Sequence, residues 1–114
     1  MTWEQFIALC VPQPRTITVQ ALTGSGGYGD VYADPVDVHL CVVDDTARVV
    51  AVQTQDAAGT NKTSSTQVYA PPDTVAPAGS LVTLPGGRTA RVLASSRLDA
   101  HGLDLPEHVE LDLE

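Results

Sequence analysis

Three groups of residues in this 114-residue chain have types or spacings that chemistry could use. The first is Gly24-Ser25-Gly26-Gly27-Tyr28-Gly29-Asp30-Val31, which fits G-x-G-x-x-G-x-V, a spacing that lets backbone wrap phosphates. A dinucleotide site needs a helix directly after the glycines, because amides at its N-terminus hold the pyrophosphate. Val31-Tyr32 and then Asp34-Pro35 follow instead, and these start no helix. The kinase version needs a strand lysine, H-R-D and D-F-G, none of which occurs. The glycines therefore read as a flexible turn between strands. The second group is Asp99, His101 and His108. Zinc needs a fuller ligand set with supporting partners, no further candidate has suitable spacing, and Gly102 and Pro106 mark loop. The third is the pair Cys10 and Cys41, which lacks C-x-x-C spacing and any accompanying nucleophile signature. His39 shares an alternating strand with Asp37 and Cys41 and reads as exposed or internally satisfied. Asp44-Asp45 reads as a solvated turn, and Asn61-Lys62-Thr63 matches a glycosylation acceptor by chance. The expectation is a protein that is not an enzyme and uses no metal and no cofactor.

Composition narrows the class further. Six Lys and Arg stand against 14 Asp and Glu, a formal charge of −8, which argues against a phosphate-binding face. Apolar residues make up 43% and charged residues 18%, so the chain can bury a core. Its length is that of one domain. No apolar run approaches the roughly 18 residues of a membrane span. The segment MTWEQFIALCVPQP has no early positive charge and no small-residue cleavage site, so synthesis in a cytoplasm is expected. In that reducing setting both cysteines read as small buried apolar residues.

The elements that position these residues are mostly strands. Thr2 caps a helical turn or two carrying Trp3, Phe6, Ile7 and Leu9, with Gln5 in capping-box position, and Pro12 and Pro14 forbid continuation. Residues 1–14 thus form an N-terminal arm or short helix, and 15–114 the main domain. Residues 16–21 alternate, with Ile17, Val19 and Ala21 on one face. Residues 36–44 place Val36, Val38, Leu40 and Val42 on one face and Asp37, His39 and Cys41 on the other. They are expected to pair in a hairpin with the β-branched run 48–54. Residues 55–66 have no large apolar side chain and are expected to form a long mobile loop. Pro71, Pro72, Pro77 and Gly79 enforce an extended connection. Residues 80–84 and 89–97 flank the tight turn Pro85-Gly86-Gly87, and 108–114 alternate strictly. The fold class is all-β, a small antiparallel β-barrel with a long loop and a short N-terminal helical segment.

From Gln67 onward the residues resemble a known family. Gln67-Val68-Tyr69-Ala70-Pro71, Pro77-Ala78-Gly79-Ser80-Leu81-Val82-Thr83-Leu84-Pro85-Gly86-Gly87-Arg88, Arg91-Val92-Leu93 and Gly102-Leu103-Asp104-Leu105-Pro106-Glu107-His108-Val109-Glu110 look like the head-closure, or stopper, proteins of siphophages, of the type in phages of actinobacteria. The likeness covers about residues 15–114 and lies in the run of strands and turns. It implies a structural virion protein at the neck, a ring that is typically dodecameric, with adaptor and portal above and tail terminator and tail tube below. It also implies a loop that projects into the channel and helps retain DNA. The matching positions are Gln55, Asp56, Gly59, Thr60, Asn61, Lys62, Thr63 and Ser64, where Lys62 is the loop's one cation.

Two segments are candidate assembly surfaces. The C-terminal strand with Val109, Leu111 and Leu113 is a possible edge that pairs with or packs on a neighbour. The stripe of Trp3, Phe6, Ile7 and Leu9 either anchors on an adjacent protein or covers its own barrel. Other functions stay open: another connector or tail-terminator ring subunit, or a host β-barrel module that binds a ligand or peptide.

Overall fold

A computed structural model describes residues 2–26, 29–53, 61–99, 102 and 106–114, with backbone alone at 25, 26 and 30. Ten strands and one helix are present among them. Helix α1 (Trp3–Cys10) is followed by β1 (Arg15–Gln20), β2 (Leu22–Gly26), β3 (Gly29–Tyr32), β4 (Val36–Asp44) and β5 (Arg48–Ala51). Then come β6 (Asn61–Ser64), β7 (Thr66–Ala70), β8 (Leu81–Thr83), β9 (Thr89–Leu98) and β10 (His108–Leu113). Six strands close into an antiparallel barrel in the order β1-β4-β7-β10-β9-β8, and β8 returns to β1. The all-β barrel with a short N-terminal helix is therefore the fold.

The remaining strands form two inserted hairpins, β2–β3 and β5–β6. β1 and β4 run antiparallel, so the link carrying β2–β3 leaves from one end of the barrel. β4 and β7 are antiparallel too, so the link carrying β5–β6 leaves from the opposite end. We call the first end upper and the second lower. The long axis of the molecule is 46 Å against 27 and 26 Å across.

Ile17, Val19, Cys41, Val68, Val82, Val92, Leu111 and Leu113 fill the barrel interior, and Ala76 joins them. Among the described residues these side chains fill the barrel as a packed core. Pro85-Gly86-Gly87 makes the expected turn between β8 and β9: Gly87 has φ +93° and its N–H donates to the Leu84 carbonyl at 2.9 Å. Thr2 caps α1 as expected, its hydroxyl accepting from the Gln5 N–H and its own N–H donating to Gln5 Oε1.

Four expectations are corrected. The run 36–44 does not pair with 48–54; β4 pairs with β1 and β7, and β5 pairs with β6. The alternation along β4 breaks at Leu40, whose φ is +62°. The register with β1 shifts there, so Val38, Cys41 and Val43 face the core while Val42 turns outward beside Tyr69. Asn61, Lys62, Thr63 and Ser64 are strand rather than loop, paired with β5, and Thr66 opens β7. Their polar side chains carry no apolar period, and only pairing with Val49 and Val50 makes them a strand. Finally, β10 is not an edge: it lies between β7 and β9. The glycine segment supplies most of β2 and the start of β3, with positions 27 and 28 outside the described residues.

Candidate functional site

The described residues place the chain's polar machinery on the outer wall of β7, β10 and β9, where β5–β6 folds back as an arm. β9 carries a bulge at Leu93, because Asp112 faces Ala94 while Leu113 faces Val92. The bulge leaves the Leu93 carbonyl available, and the Gln53 N–H donates to it at 2.9 Å. The Gln53 side chain spans the same bulge, its Oε1 accepting from the Ser95 N–H at 3.0 Å. Val52 beside it is buried, which seats the end of the arm beyond β5 against the barrel wall.

Arg48 then reaches across to β10. Its guanidinium donates to Asp112 Oδ1 from Nε at 3.2 Å and from a terminal nitrogen at 2.6 Å, and the same nitrogen meets Glu110. Asp112 is nearly covered, although strict alternation placed it on the solvent side. A buried carboxylate is tolerated only when paired, and Arg48 supplies the pair. Hydrogen bonding to Asp112 and then Glu110 raises the arginine above its ordinary value despite some desolvation. Beneath the arm, Gln67 Nε2 donates to Ser64 Oγ at 3.1 Å, and Ser64 donates to the Leu113 carbonyl at 2.7 Å. Ser64 and Gln67 are both buried, so the arm covers a polar pair held by hydrogen bonds, while Thr66 is buried on the inward face opposite Leu113. On that inward side Thr66 Oγ1 accepts from Arg88 at 2.6 Å and donates to Asp45 Oδ1 at 2.9 Å.

The expected channel residues divide accordingly. Gln55, Asp56, Gly59 and Thr60 lie outside the described residues. Asn61, Lys62 and Thr63 are exposed on β6, whereas Ser64 is buried at its base. Lys62 Nζ stands 3.9 Å from Glu114 Oε1.

The expected assembly surfaces are also separated. Val109, Leu111 and Leu113 point into the closed barrel, so they are core and cannot meet a neighbour. On the helix, Trp3 and Ile7 are buried, Phe6 is half-buried and Leu9 is 75% exposed. Trp3 Nε1 donates to the Leu40 carbonyl at 2.7 Å, and its ring stacks on His108 at 5.3 Å between centroids. The backbone turn at Leu40 thus serves helix docking. A groove of about 270 Å³ remains beside it, lined by Phe6, Val11, Val42, Tyr69 and Pro106 with the Trp3–His108 stack. Burial pushes the Tyr69 phenol up, and the Glu110 carboxylate adds to the effect.

The cysteines differ from one another. Cys41 is buried, and desolvation pushes its thiol up to about 12, opposed by a weaker backbone contact with Ile17. Cys10, expected to be buried, is exposed because it follows the last buried turn of α1. His39 is exposed and shares a 3.1 Å hydrogen bond with Thr16. His101 is outside the described residues, and among those described no group of His, Cys, Asp and Glu is placed to hold a metal. No described helix is long and apolar enough to cross a membrane.

The sequence reading missed Arg48, Gln53 and Asp112 as a working set. The only local signal is two carboxylates on one strand face, Glu110 and Asp112, with a cation 64 residues from Asp112. Compared with protein-family models, curated proteins and solved structures, the chain matches none.

Proposed function

We propose that this chain is a structural ring subunit of a phage head-to-tail connector, of the head-closure type, which joins a portal and adaptor to a tail and helps retain and pass DNA. The observation that supports it best is the pair of hairpins leaving opposite ends of one packed barrel. Hairpins inserted at opposite ends, one of them folded back along the wall, give the body unlike upper and lower surfaces, which suits a layer held between two other layers. The filled interior means that DNA passes between copies around an axis, never through a barrel. The resemblance from Gln67 onward points the same way. In this role β6 and residues 55–60 carry the channel-facing positions, with Lys62 nearest to phosphates. The net charge of −8 per copy keeps the remaining wall from holding DNA.

The test is negative-stain imaging of virions whose copy of this chain carries a gold-labelled tag after Glu114. Label at the neck is expected. Label on the capsid or distal tail, or particles without label, overturns the proposal. A second role, a module that binds a small ligand or peptide, is favoured by the apolar groove at Trp3 and Tyr69. Unlabelled particles together with a portal-free gene neighbourhood would select it.

A further inference from the structure

The upper end of the barrel carries a cleft of about 510 Å³ between the β3–β4 link, the first half of β4 and the connection after β7. Among the described residues, four carboxylates line it, Glu4, Asp34, Asp37 and Asp73, together with His39, and no lysine or arginine does. The ion pairs of Arg48 and Lys62 lie on the outer wall around β10 and the arm, away from this cleft. Carboxylates alone would be a solvated rim, but the walls between them are apolar. Val36 is 59% exposed and Val75 is 72% exposed, both in the same cleft. Large aliphatic side chains held open among acids cost hydration that a covering ligand would recover. A third feature is independent of both. Thr74 Oγ1, in the wall beside Val75, is buried and has no hydrogen-bond partner among the described residues. Buried hydroxyls are normally paired, and an arriving backbone carbonyl or amide would pair this one once the 71–75 connection adjusts.

We infer that this cleft docks an extended segment of a partner protein in which Lys or Arg alternates with aliphatic residues. The aliphatic side chains cover Val36 and Val75, the cations meet Asp34, Asp37 and Asp73, and the segment's backbone serves Thr74. A nucleic acid does not fit, since its phosphates would face four carboxylates. A second copy of this chain fits less well: of its six cations, Arg48 and Lys62 are already paired within the subunit. The inference holds for a ring subunit and for a lone barrel alike, so it does not depend on the connector role.

The experiment titrates the full ¹⁵N-labelled chain with a short synthetic peptide in which lysine alternates with leucine. The control is the same peptide with glutamate in place of lysine. Saturable shifts confined to amides of residues 33–40 and 71–75 are expected with the lysine peptide alone. The double variant Asp34→Asn, Asp73→Asn should weaken binding by about tenfold at low salt, since both charges are exposed and salt screens them. Thr74→Val keeps shape but removes the hydroxyl, and should weaken binding about fivefold at any salt concentration. Spectra of both variants should overlay the wild type outside the cleft, which establishes that they fold. Non-saturating shifts spread over the surface, equal binding of the glutamate peptide, or wild-type affinity in both variants would overturn the inference. Failure here leaves the neck-labelling result untouched, and the reverse is also true.

Discussion

The guanidinium of Arg48 and the carboxylate of Asp112 meet through two donor nitrogens on one oxygen, tying the β5–β6 arm to the barrel wall. Arg48 is the more accessible partner, its side chain 44% exposed, whereas Asp112 is nearly covered. Removing the arginine therefore strands a carboxylate with little water to replace it. Arg48→Ala should cost about 1–2 kcal/mol, discounted from a fully buried pair because one partner is solvated. Asp112→Asn in the same background should cost less than it does in the wild type. A urea double-mutant cycle measures this, and additive losses would mean that the pair does not couple.

Arm and barrel meet across a polar contact, so loosening that contact should act locally before it acts globally. In Arg48→Ala, amide hydrogen exchange at residues 48–51 and 61–64 should quicken by about tenfold while the β1–β4 ladder keeps its protection. A short hairpin is marginal without support, and the arm's support is this contact together with the docking of Val52 and Gln53 on β9. Uniform quickening across the barrel would show that arm and barrel open as one unit.

Trp3 and Leu40 form a second long-range contact, between a helix side chain and a strained strand carbonyl. Trp3→Phe retains an aromatic ring on His108 but loses the donor, and should cost about 1 kcal/mol. Trp3→Ala should cost about 3 kcal/mol, because the indole is buried against the barrel. Deleting residues 1–12 should destabilise the whole fold by circular dichroism. A deletion that melts like the wild type would mean that the helix adds nothing to its own barrel.

These two contacts mark where sequence reasoning reached its limit. The β8–β9 hairpin and β10 were legible because their signals are local: Pro85-Gly86-Gly87 sets the turn, and Val109, Leu111 and Leu113 alternate over adjacent positions. The burial of Asp112 comes from a partner far away in sequence, which no window around β10 contains. Leu40 is harder still, since leucine disfavours positive φ and nothing in Val38-His39-Leu40-Cys41 announces a change of face. Its conformation is held by the Trp3 indole, so the slip in β4 is a tertiary decision. Val109, Leu111 and Leu113 had the right pattern for a strand, but alternation alone does not distinguish an edge from a strand paired on both sides.

Closure of the barrel decides what core substitutions do. Leu111 is completely buried, so Leu111→Ala should cost about 2–5 kcal/mol from lost contacts and residual cavity. Thermal melts should show this loss in the isolated chain. A variant that melts normally but fails only in assembly would place Leu111 on an interface and contradict the closed order of strands.

Cys41 gives the barrel an alkaline limit. Its thiol is raised from an ordinary 9.0 to about 12, so the folded chain keeps this proton where the unfolded chain has released it. The stabilising contribution is whole below pH 9 and is lost as pH rises toward 12, at about 1.4 kcal/mol for each unit crossed. Cys41→Ala should start slightly less stable at pH 7 because a small side chain is trimmed from the core. Between pH 9 and 11 it should lose stability more slowly than the wild type, since every other titratable group is common to both. Urea midpoints across that range measure the difference. A thiol reagent at pH 8 should label Cys10 at once and Cys41 only on unfolding. Parallel pH profiles with prompt labelling of both cysteines would mean that Cys41 is open to water, and the interior would then be looser than a packed barrel allows.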